Sequence, residues 1–197
     1  MSRNPDETKS RILTKSGVLF NTQGYQATSI SDITSATGYT KGAIYRHFKS
    51  KASLEKETLF HLSQRMFEEL GGRIRCASTA GDKLRAVVRY FESYVTKPVL
   101  KGGCPLMNAA IEADDTNPPL RKEALKILDI LHDSLIKVLR NGIRYKQIKA
   151  DTDVEYYATL IIASLEGAIM MSKLRGDNRD IKRVIRHLES EVKKIET

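Results

Sequence analysis

The stretch Thr28–Lys51, TSISDITSATGYTKGAIYRHFKSK, constrains the fold more than any other part of the chain. Asp32, Ile33 and Ala36 belong to one short helical pattern, and Ala43, Ile44, Tyr45 and Phe48 to a second. Gly38 lies between them, where a helix stop calls for a left-handed residue that glycine adopts without steric cost. Ser29 with Asp32 fits a capping box, and Thr40 offers a hydroxyl to cap the second helix, which Lys41-Gly42 open. Ile33, Ala36, Ile44 and Phe48 are expected to be core. Helix, short glycine-containing turn, helix is the spacing of a helix-turn-helix, whose second helix fits the DNA major groove.

The flanking sequence supplies what such a pair needs to fold. Asn4-Pro5-Asp6-Glu7 reads as a helix start, Ile12, Leu13, Leu19 and Phe20 as its apolar stripe, and Gly24 as its end. Ser50 is suited to cap a long fourth helix carrying Leu54, Leu59, Leu62, Met66, Phe67 and Leu70, which Gly71-Gly72 should weaken, kink or end. A fifth helix holds Leu84, Val87, Val88, Phe91, Tyr94 and Val95 and is stopped by Pro98. Pro105 starts a short sixth. The seventh carries Leu125, Leu128, Leu131, Leu135, Val138 and Leu139 at helical spacing, through about residue 146. The eighth and ninth span about residues 152–174 and 178–195. No strand alternation, repeat or low-complexity run interrupts this pattern. The expected fold is all-α with about nine helices: a three-helix head over residues 1–50 and a six-helix body over residues 51–197.

Charge distinguishes the two parts. Of the formal net charge of +9, residues 1–51 carry +5 and the other 146 residues only +4. A cationic head on a nearly balanced body suits polyanion binding. The longest uncharged apolar run, Tyr156–Leu165, is too short to span a bilayer, and MSRNPDETKS lacks a signal peptide's apolar core. Two cysteines, Cys76 and Cys104, argue against a disulfide-built secreted domain. The expected location is the cytoplasm, with no membrane partner.

The first helix ending at Gly24-Tyr25, then Thr28-Ser29 and TKGAIYRHFKSKASL, resembles the tetracycline-repressor (TetR) family of transcriptional regulators over roughly residues 8–60. The body matches that family in helix number and length only. The resemblance implies a homodimeric repressor that leaves its double-stranded operator when a small-molecule effector enters the body. An activator, or a DNA-binding protein of this fold with no ligand, would use the same head.

Residues and resemblance agree on the DNA-binding set: Thr28, Ser29, Thr40, Lys41, Gly42, Ala43, Tyr45, Arg46, His47 and Lys51. Thr28, Thr40, Tyr45, His47 and Lys51 carry groups suited to phosphate oxygens. Lys41 and Arg46 suit base edges, Arg46 by bidentate contact with guanine. Gly42 and Ala43 are small enough to let the helix approach the groove floor. The family's cavity, carried over to this chain, would be lined by Met66, Leu70, Phe91, Tyr94, Met107, Asn108, Ile111, His132, Leu135 and Met170, though each alone reads as packing. A single head is too small for tight specific binding, so pairing through the last two helices is expected. There Ser164, Ala168 and Ser172, with Gly167 beside them, form a small-residue strip.

Other classes find less support. The histidines, His47, His61, His132 and His187, are isolated and no metalloprotease, C-x-x-C or nucleophile-elbow pattern occurs, so neither an enzyme nor a cofactor or metal is expected. Glu112, Asp114 and Asp115 end a short helix with no histidine close in sequence. Cys104, just before a helix start, admits a redox role, but an ordinary, partly buried thiol is the simpler reading. A nonspecific architectural DNA binder would be distinguished by equal affinity for random and promoter DNA.

Overall fold

A computed structural model describes residues 4–96 and 101–197. The described residues form nine α-helices: α1 Pro5–Gln23, α2 Ile30–Thr37, α3 Lys41–His47, α4 Lys51–Cys76, α5 Ala80–Thr96, α6 Pro105–Ala113, α7 Pro118–Arg144, α8 Val154–Arg175 and α9 Arg179–Ile195. Extended pairing among them is limited to an isolated antiparallel bridge between Ile148 and Glu196. The all-α expectation therefore holds. The stop assigned to Pro98 lies outside the described residues.

Helix ends follow local chemistry. The Asn4 side chain accepts from Asp6 N, and Gly38 takes the left-handed conformation (φ 73°, ψ 12°) after α2. Gly176 (φ 69°) ends α8 in the same way. Gly71-Gly72 does not end α4, which runs on to Cys76. A glycine pair costs helix propensity, on the order of 1 kcal/mol per residue against alanine, and the surrounding buried positions Met66 and Leu70 outweigh it.

The chain groups into two compact units, Met1–Arg65 with Leu100–Ile127, and Met66–Val99 with Leu128–Thr197. That grouping breaks inside α4, after Arg65, rather than at residue 50, and α6 and the start of α7 join the first unit. Ile12, Phe20, Tyr25, Ile33, Ile44, Phe48, Leu54 and Leu62 form the core of unit 1. Phe20 and Tyr25 stack with ring centroids 4.8 Å apart. Burial, together with the negative charge of Glu112 and Glu55, pushes the Tyr25 phenol well above its usual range. Ala36 faces solvent, contrary to expectation, since α2 has room for only one buried row, Ile33 and Thr37.

In unit 2, Leu84, Val88, Phe91, Leu131, Leu139, Ile161, Leu165, Ile181 and Leu188 form the core. The stripe expected on α7 holds at Leu131, Leu135 and Leu139 but not at its start. Leu125 and Leu128 are exposed, and the buried row of that helix runs through Leu120, Ala124, Ile127, Leu131, Leu135 and Leu139. The C-terminus of unit 2 is tied down by Arg85, whose guanidinium donates to both Glu196 oxygens at 3.1 and 2.8 Å.

Candidate nucleic-acid interface

The α2–turn–α3 frame is fixed from within. Ser29 N donates to Asp32 Oδ2 at 2.8 Å, and Asp32 N donates to Ser29 Oγ at 3.1 Å, so the expected capping box is complete. These bonds to Ser29 hold the Asp32 carboxyl below its ordinary value. Thr40 Oγ1 accepts from Ala43 N at 3.2 Å and caps α3. Ile44 and Phe48 are buried, and that sets which face of α3 looks outward. On this face lie Lys41, Gly42, Tyr45 and Arg46, all exposed, with Ala43 and His47 half-buried beside them. Nothing lies within 4 Å of where a Gly42 side chain would begin, so this glycine leaves the outward surface of α3 low.

Lys41 Nζ sits 6.0 Å from the centre of the Tyr45 ring, and Arg11 covers the ring of Tyr39 at 5.7 Å. Arg46 and His47 share an open hollow of about 320 Å³ with Pro5, Thr8, Tyr39 and Ala43. Tyr39 was missed at the sequence level, although a phenol between Gly38 and Thr40 in a two-helix turn is a usable signal. It lines the same hollow as Arg46 and His47.

Two members of the expected set do other work. Thr28 is fully buried, and its hydroxyl donates to Gly24 O at 2.7 Å, which closes the end of α1. Lys51 Nζ donates to Tyr25 O at 2.7 Å and Gln26 O at 3.2 Å, and pairs with Glu55 at 3.3 Å. Its ammonium is thus spent on holding the α1–α2 loop against the start of α4. Ser29 and Thr40 act chiefly as caps.

That loop is held from the other side by α6. Asn108, expected to line the ligand cavity, donates its amide to Asn21 Oδ1 at 2.8 Å and Gly102 O at 3.0 Å. Asn21 in turn donates to Lys101 O and Gly103 O. Glu112 accepts from Gln26 N at 3.1 Å, and Asn117 donates to Glu55 at 2.8 Å. Asn21 and Gln26 had no pattern to mark them in the sequence.

The ten expected ligand residues divide between the units. In unit 1, Met107 is half-buried, Asn108 is committed as described, and Ile111 is exposed at 66%. In unit 2, Met66, Leu70, Phe91, Tyr94 and Leu135 are buried. Phe91 and Leu135 line a small cavity of about 10 Å³. Phe91 and Tyr94 stack at 5.4 Å. His132 lies 3.3 Å from Thr159 Oγ1, and Met170 is exposed at 44%. Ile111 and Met170 therefore point away from any interior. Cys104 is buried at the start of α6 and Cys76 is exposed; among the described residues neither is in a disulfide. Among the described residues no three His, Cys, Asp or Glu side chains gather to hold a metal.

A capped helix-turn-helix with a cationic outward helix, on an all-α body, defines a DNA-binding transcriptional regulator. Residues 12–58 match the family of bacterial regulatory proteins called the tetR family, and residues 80–188 match the tetracyclin repressor-like C-terminal domain. The chain belongs to the TetR family. It is 28% identical over 184 residues to the HTH-type transcriptional repressor DhaR of a Mycobacterium species, covering 92% of this chain and 89% of that protein. It is 24% identical to the HTH-type transcriptional regulator TtgR of Pseudomonas putida, covering 89% and 84% of the two chains. The crystal structure of a TetR transcriptional regulator from Chloroflexus aurantiacus superposes with a TM-score of 0.94 at 34% identity over 98% of both chains. Members of this family are DNA-binding regulators rather than enzymes, and bind operator DNA, typically as dimers.

Proposed function

We propose that the protein is a homodimeric transcriptional repressor, working in the cytoplasm, which leaves its operator when a small ligand enters the body. In this reading residues 1–50 read DNA, and residues 51–197 hold the ligand and the dimer contact. The observation that carries it is the exposed face of α3, where Lys41, Tyr45 and Arg46 project from a frame locked by the caps at Ser29 and Thr40. Arg46 and Lys41 reach base edges; Tyr45, His47 and Tyr39 meet phosphates. The name of DhaR supports repression in particular.

Pairing rests on α8, by a face other than the one expected. Ala168 and Ser172 are buried inside the chain, and Ser172 Oγ accepts from Ile181 N at 2.9 Å, so these two residues of the small-residue strip turn inward while Gly167 beside them stays outward. Another row of α8 is outward: Tyr156, Thr159, Ala163, Gly167, Met170 and Leu174 recur every three or four residues. Leu174 is 82% exposed and Gly167 has open space around it. By length and composition α8 passes for a membrane-crossing helix. Membership of a DNA-binding family favours a partner helix as its cover instead. The outward side of α9, with Lys182, Arg183, Arg186, Lys193 and Lys194, is cationic, which favours α8 as the apolar centre of the contact.

Release follows if the ligand favours a shifted α4, which carries Leu54 and Lys51 against the head. Selection of genomic fragments by the purified protein tests the reading. A small set of promoter fragments should be enriched and then lost when Lys41 and Arg46 are both changed to alanine. No enrichment at low ionic strength would overturn it.

A further inference from the structure

Unit 2 holds a second, much roomier hollow, of about 460 Å³, that none of the expected ligand residues lines. It lies between the end of α4, the first turn of α5 and the C-terminal half of α7. Its floor is built rather than slack. Ala80 N donates to Gln147 Oε1 at 2.9 Å, and Gly142 O accepts from both Gln147 N at 2.8 Å and Ile148 N at 3.2 Å. A side chain at Gly142 would overlap Ile148 and Ala80, so the approach of α7 to α5 depends on that glycine.

The chemistry of the wall is one-sided. Lys83 and Lys137 both line it, together with the apolar Ile74 and Val138, the amide of Asn141 and the ring of Tyr145; no carboxylate does. Several cations of this unit are neutralised by acids, Arg85 by Glu196, Arg89 by Glu189, Arg175 by Asp180 and Lys194 by Glu191, while others on its surface, such as Lys182 and Arg186, are not. Among the described residues neither Lys83 nor Lys137 has an acidic partner. Lys83 also stands in the opening turn of α5, where the helix dipole disfavours a cation and favours an anion. Two unmatched ammonium groups beside aliphatic and aromatic surface, in a hollow of ligand size, are complementary to a compact organic anion.

We propose that this hollow binds an aromatic carboxylate, its carboxyl between Lys83 and Lys137 and its rings against Ile74, Val138 and Tyr145. This site is separate from DNA reading, and the assay contains no DNA, so its failure leaves operator binding untouched. The full chain is titrated calorimetrically with 2-naphthoate and with the neutral 2-naphthamide. Naphthoate should bind once per chain, at least about tenfold tighter than the amide, as expected for a charge-assisted contact. In Lys83→Gln/Lys137→Gln, with an unchanged melting curve, naphthoate should fall to the level of the amide while the amide is unaffected. Asn141→Trp, which fills the hollow and keeps both lysines, should weaken both ligands. Equal binding of acid and amide, wild-type naphthoate affinity in the double variant, or no naphthoate binding to the wild type would each overturn the assignment.

Discussion

Lys51 sits in the motif where a lysine reads as a phosphate contact, yet its partners give it a different job, and Lys51→Ala separates the two. The ammonium makes two bonds to backbone carbonyls, at 2.7 and 3.2 Å, and one to Glu55, whose side chain is 6% exposed. Hydrogen bonds to charged groups contribute about 1.5–3 kcal/mol each, and a stranded buried acceptor costs about 1–3 kcal/mol. Lys51 is itself 32% exposed, so water replaces part of what is lost, and Asn117 still donates to Glu55. A net cost of about 2 kcal/mol remains after those two reductions. For a chain of this size that lowers the melting temperature by about 4–8 °C. The assay is thermal unfolding at fixed protein concentration, beside DNA binding as a function of salt. Lys51→Ala should melt early and keep the wild-type salt slope, whereas Lys41→Ala should melt normally and bind DNA less tightly. If Lys51→Ala melts with the wild type but its salt slope drops by about one, the lysine is a phosphate contact and the reasoning fails.

Other consequences are as direct. Gly102 has φ 104°, and a Cβ there would overlap the Asn21 carbonyl oxygen, so Gly102→Ala should destabilise by about 2 kcal/mol or more in urea unfolding. The folded-state pKa of Asp32 is depressed, so its stabilising effect is present above the unfolded carboxylate range, near 4, and disappears as pH falls through the lower folded value. Melting of the wild type and Asp32→Asn should therefore converge on acidification. Met170→Glu with Leu174→Glu should yield monomers by sedimentation without unfolding the chain, whereas Ser164→Leu, outside that outward row, should change association less. Arg46→Ala should relax base preference at one operator position by about 1–3 kcal/mol in a competition assay.

The head was legible because its signals are local and mutually consistent. Gly38 has one conformation that suits a turn of that length, and Ser29, Asp32 and Thr40 each find their partner within three residues. What sequence could not assign were groups with two equally good uses. The Thr28 hydroxyl suits a phosphate as well as the Gly24 carbonyl that follows α1, and Lys51 suits DNA as well as a loop carbonyl; three-dimensional proximity decided both. On α7, leucines and isoleucines occupy several rows at helical spacing. Periodicity therefore gave no basis for preferring Leu120–Ala124–Ile127 over Leu125–Leu128. Small residues on α8 had the same ambiguity: Ala168 and Ser172 admit a close helix whether it is a partner's or the chain's own α9. Asn21 and Gln26 were invisible because their partners lie some 80 to 90 residues away in sequence.

The central claim is that two copies of the α3 face read one duplex together. Sedimentation of the protein with a selected promoter fragment, combined with hydroxyl-radical footprinting, measures this directly. Two chains per duplex and two protected half-sites roughly 34–36 Å apart are the predicted outcome. One chain per duplex, or a single protected patch at saturation, would contradict it.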